Sequence, residues 1–79
     1  MRKKRPFVVV AFDSQEDVLA LEEAAKAHGL PGRIIPLPGE VAAGCGLAWA
    51  VAVDEADGLR DQLAAFGLRY SAIAVVSLY

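Results

Sequence analysis

Phe7-Val8-Val9-Val10-Ala11-Phe12-Asp13-Ser14 opens a pattern that the chain then runs through a second time. A β-branched and aromatic run bounded by a turn dipeptide reads as a buried strand. Ser14, with Asp17 three residues on, marks a helix start in capping-box style, and Glu16 and Asp17 suit the positive helix end. Val18, Leu21, Ala25 and His28 follow at helical spacing, and Gly29 supplies the stop. Leu30-Pro31-Gly32 then turns into Arg33-Ile34-Ile35-Pro36-Leu37. Pro36 has no N–H for a ladder, so this second strand belongs on an edge.

The second passage runs from Leu47-Ala48-Trp49-Ala50-Val51-Ala52-Val53, a charge-free strand. Asp54 with Asp57 marks the next helix start, Ala56, Leu59, Leu63 and Phe66 form its apolar face, and Gly67 ends it. Leu68 leads into the fourth strand, residues 69–76. The caps Ser14 and Asp54 are 40 residues apart, the stop glycines 38, and a leucine follows each glycine.

Strand–helix–strand twice over in a short chain predicts an α+β fold of the ferredoxin-like βαββαβ type. Right-handed crossovers give a four-stranded antiparallel sheet in the order 4-1-3-2, with two helices on one face. The charge-free first and third strands take the centre. A flavodoxin-like parallel sheet needs more strands than this chain supplies. Residues 1–6 form a basic N-terminal segment and residues 7–79 a single domain.

Composition narrows the function. The net charge of −2 hides an asymmetry: Arg2, Lys3, Lys4 and Arg5 are half of the eight basic residues. Beyond them four basic side chains face ten acidic ones, and an acidic body argues against nucleic acid as a partner. The basic head followed by Pro6–Phe12 imitates a signal peptide, but the apolar run stops at Asp13 and reads as a strand. No apolar run approaches the roughly 18 residues of a membrane span. One cysteine forms no internal disulfide, which points to a reducing, cytoplasmic setting. A hydrophobic content of 56% exceeds what one small core takes up, so self-association into a homo-oligomer is expected.

The connection Pro38-Gly39-Glu40-Val41-Ala42-Ala43-Gly44-Cys45-Gly46 is long for a hairpin, and such loops often carry function. Gly44 and Gly46 remove side-chain bulk on both sides of Cys45, leaving the sulfur open to a partner. The expected topology puts Cys45 near the helix N-terminus at Ser14 and Gln15, where free N–H groups favour an anion. Such surroundings lower a thiol pKa from about 8.5 into the range of roughly 3.5–7.5. The dipole alone is worth about 0.3–1 kcal/mol, less than one pKa unit. Backbone N–H groups and Arg69, expected at the same end, would supply the rest, while Asp13 and Glu40 oppose it. The alternative reading of Cys45 is a small buried hydrophobe.

Phe12-Asp13-Ser14, the Glu22 helix, Ile35-Pro36-Leu37-Pro38 and Gly44-Cys45-Gly46-Leu47-Ala48 together resemble the selenium/sulfur carrier-like family. The likeness runs from about Phe7 to Val53 and more loosely to the end. It implies a bacterial or archaeal cytosolic protein that carries sulfur or selenium on its cysteine, with sulfur- or selenium-transfer proteins as partners. Two positions depart from the family's habit: Gln15 stands where members often have threonine, and Gly39 where they often have arginine.

The remaining candidates read structurally. His28 suits the last helical turn, Trp49 the core, and Glu16, Asp17, Glu22 and Glu23 a solvated helix face. Gly29-Leu30-Pro31-Gly32 lacks the lysine and the following helix of a phosphate loop. No Ser/His/Asp set, paired carboxylates or metal-ligand set stands out, so a carrier or binding protein is expected rather than an enzyme. No cofactor is implied beyond covalent sulfur or selenium on Cys45. Besides the carrier, two functions fit: a regulatory module that binds a small anion or molecule, and a protein-interaction subunit using the edge strand led by Arg33.

Overall fold

The computed structural model describes residues 4–39, 41 and 46–78. Its elements are β1 (Arg5–Ala11), α1 (Gln15–His28), β2 (Arg33–Pro36), β3 (Leu47–Ala52), a 3₁₀ turn (Val53–Glu55), α2 (Leu59–Ala65) and β4 (Ala72–Leu78). The four strands form one antiparallel sheet in the order β2-β3-β1-β4, which is 4-1-3-2 read from the opposite edge. The two strands without charge in their central runs sit in the middle, and Pro36 lies on the β2 edge as its missing N–H requires.

Both faces of the sheet are apolar. On one, Val10, Trp49 and Val51 pack with Val18, Leu21 and Ala25 of α1 and with Leu59 and Leu63 of α2. On the other, Val9, Ala11, Ala48 and Val76 pack with Val41. The register explains the split, since Val9 pairs with Ala50 and Ala11 with Ala48 while Val10 pairs with Trp49. Large side chains thus face the helices, and much of the opposite face is alanine.

The first helix starts as its sequence requires. The Asp17 N–H donates to the Ser14 hydroxyl at 3.3 Å, and Gly29 closes the helix at φ +69°. The leucines after the stop glycines also find their reason. Leu30 N–H reaches the Ala25 carbonyl and Leu68 N–H the Leu63 carbonyl, each spanning the glycine in a Schellman closure.

Three expectations are corrected. The second helix does not begin at Asp54: that residue lies in the 3₁₀ turn, and α2 starts after Gly58, whose φ of +77° makes an Asp57-Gly58 turn. Phe66 consequently falls past the helix end, 38% exposed, and stacks on His28 with centroids 4.3 Å apart and planes at 17°. The fourth strand begins at Ala72, three residues later than position 69, because pairing starts opposite the last residue of β1, Ala11. The third strand ends at Ala52, and Val53 enters the 3₁₀ turn.

Candidate functional site

The connection between β2 and β3 is held at its base. The Leu37 N–H donates to the Gly46 carbonyl at 3.0 Å, which continues the β2–β3 ladder by one pair. The Val41 N–H donates to the Pro38 carbonyl at 3.0 Å, and the Val41 side chain, 7% exposed, is buried in the alanine-rich layer. Among the described residues of the connection, Val41 and the partly buried Leu37 pack on the sheet face opposite the helices. Sequence reasoning did not single out Val41. The signal was present, since it is the only branched aliphatic residue between Pro38 and Gly46.

Of the residues expected at the site, Gly44 and Cys45 lie outside the described residues, as does the opposing Glu40. Gly46 is described and adopts φ +76°, the left-handed region that glycine enters without a Cβ penalty. A Cβ built there meets nothing within 4 Å, so its glycine character answers to backbone conformation and not to crowding.

Register brings the other expected residues to one end of the sheet. Ala11, the last residue of β1, pairs with Ala48 of β3 and Ala72 of β4. The Ser71 N–H also donates to the Ala11 carbonyl at 2.8 Å. Ser14 and Gln15 at the α1 N-terminus follow Ala11 in the chain, Gly46 stands two residues before Ala48 and Arg69 two before Ser71, so all four adjoin that end of the sheet. Gln15 and Arg69 are exposed, and Ser14 is half-buried. Arg69 precedes the strand instead of opening it.

The charge at this end is mixed. Glu16 and Asp17 occupy the first turn of α1, and the Asp17 N–H already belongs to Ser14. Asp13 is exposed just before the cap. His28 closes the far end of α1. Among the described residues no three His, Cys, Asp or Glu side chains gather as a metal site.

Trp49 is a core residue: 3% exposed, it donates from Nε1 to the Pro31 carbonyl at 3.2 Å. No described helix is long and apolar enough to cross a membrane. No curated protein and no solved structure matches this chain. One family model does match, over residues 7–75, and its description is "Putative Se/S carrier protein-like". That span takes in both helices, β2 and β3 whole, most of β1, the first half of β4 and the Gly44-Cys45-Gly46 connection, and the chain belongs to this family.

Proposed function

We propose that this protein carries sulfur or selenium on Cys45 and hands it to a partner protein. The observation that carries the reading is the family match across residues 7–75, which includes the cysteine and both flanking glycines. Cys45 is the chain's one thiol, and thiolate attack on a sulfur atom is the chemistry such a carrier needs.

The transfer balances without an added oxidant. The Cys45 thiolate attacks the terminal sulfur of a donor persulfide, the donor's S–S bond breaks, and the donor departs as its thiolate. Cys45 then holds the persulfide until an acceptor thiolate attacks the same terminal sulfur and releases Cys45. Selenium travels in the same way as a selenopersulfide. On this reading the absence of side chains at Gly44 and Gly46 gives a partner access to the sulfur, and Ser14, Gln15 and Arg69 are the neighbours assigned to the anionic sulfur.

The protein is then a carrier and not an enzyme, working in a reducing cytoplasm between sulfur- or selenium-transfer proteins. We further assign the fold to the ferredoxin-like βαββαβ arrangement, on the strength of the element order and the strand order. Alkylation of the folded protein across a pH series tests the thiol. The reading expects a midpoint below the free-cysteine value of about 8.5. A sulfur that reacts only after unfolding would favour the alternative, a module that binds a small anion without covalent chemistry. A melting shift on adding the anion to a Cys45→Ala protein would then identify it.

A further inference from the structure

The two edges of the sheet are built differently. The β2 edge has four residues, begins with Arg33 and ends with Pro36. Short length, a charge and a proline are the means by which proteins discourage edge-to-edge pairing. The β4 edge has none of them. Its seven residues, Ala72-Ile73-Ala74-Val75-Val76-Ser77-Leu78, contain no charge, no proline and no glycine. No described residue pairs with its outer side. Val75, at the middle of β4, is 67% exposed, more than any other large hydrophobic side chain among the described residues.

We propose that β4 is a self-association edge, on which a second copy of this chain pairs its own β4 antiparallel about a two-fold axis near Val75. The strand is self-complementary about that point. Val75 meets Val75 of the second copy, Ile73 meets Ser77, Ala74 meets Val76 and Ala72 meets Leu78. No like charges oppose one another anywhere along the seam. The product is a continuous sheet of eight strands, capped at both outer ends by the blunted β2.

A groove of about 510 Å³ adjoins the same edge on the helix side, walled by Val8, Leu59, Ile73 and Val75. Its rim carries Asp57, Arg60 and Asp61. Both signs of charge stand there, so a two-fold copy meets a mixed rim and not a wall of one sign. A two-fold axis brings the two grooves to the seam, where the second Val75 adds apolar surface. Closed pairing of this kind is the commonest symmetry for soluble oligomers.

Sedimentation velocity of the full chain, from micromolar to millimolar concentration, tests the assignment. Wild type is expected to dimerise. Val75→Lys places two like charges opposite each other and is expected to weaken the dimer by roughly tenfold or more with an unchanged circular dichroism spectrum. Ser77→Lys, at a second exposed position on the same strand, is expected to act likewise. Leu19→Lys removes another exposed apolar side chain, on α1, and is expected to leave the dimer intact. Amide hydrogen exchange of wild type gives an independent reading, with protection rising along 72–78 as concentration rises. A wild type that stays monomeric throughout overturns the proposal. So does a dimer that ignores both lysine substitutions, one that Leu19→Lys dissolves equally, or exchange along 72–78 that does not depend on concentration.

Discussion

Glycine at position 32 is the residue on which local sequence and tertiary packing most visibly meet. Its φ is +117°, and a Cβ there would collide with the Trp49 indole and come within 2.9 Å of the Ala50 carbonyl. The indole in turn holds the same turn through its bond to the Pro31 carbonyl. Gly32→Ala is expected to destabilise the fold by about 2–4 kcal/mol, from backbone strain and overpacking together. Gly39→Ala, where the Cβ meets nothing within 4 Å and φ is not positive, is expected to fall within about 0.5 kcal/mol of wild type. Urea unfolding midpoints at unchanged slope compare the two. Ser14→Ala removes the acceptor for the Asp17 N–H and is expected to cost about 1 kcal/mol, read as a lowered thermal midpoint.

At the scale of elements, the same capping-box pattern reads as a helix start twice and holds once. Ser14 with Asp17 starts the first helix, and Gly29 stops it. Asp54 with Asp57 does not start the second. Gly58 after the later one takes the left-handed turn, and the earlier one is left in a 3₁₀ turn. The fourth strand slipped for another reason. Residues 72–76 are uniformly apolar, so alternation does not fix their register, and the end of β1 at Ala11 does. Phe66 was read as part of a helical face but lies one step beyond the helix, where it joins the ends of α1 and α2 by stacking on His28. Leu63→Ala, at a fully buried position of α2, is expected to cost about 2–5 kcal/mol. Phe66→Ala is expected to cost only about 0.5–1.5 kcal/mol. Equal losses in a chemical denaturation series would contradict the placement of α2.

For the whole molecule, the strand order and the centring of β1 and β3 could be read from the sequence, because a twice-run strand–helix–strand pattern with right-handed crossovers places them there. Absence of charge alone does not, since β1 begins Arg5-Pro6 and the charge-free β4 lies on an edge. The alanine-rich second layer could not be read in advance, since alanine is at home both in strands facing solvent and in close-packed layers. Its consequence is that the connection carrying Cys45 packs through Leu37 and Val41 on the face away from the helices, while α1 and Arg69 approach the same end from elsewhere in the chain. The sequence offers the candidate site as a motif, Gly44-Cys45-Gly46, of which only Gly46 is among the described residues, and the register leaves Ser14, Gln15, Gly46 and Arg69 adjoining one end of the sheet. The central claim is that Cys45 accepts sulfur as a persulfide while the protein is folded. Intact-mass measurement after exposing the folded protein to a small-molecule persulfide donor tests it most directly, with Cys45→Ser alongside. The account predicts a gain of one sulfur atom on wild type, removed by a thiol acceptor, and no gain on Cys45→Ser. An unchanged wild-type mass, or an equal gain on Cys45→Ser, would contradict it.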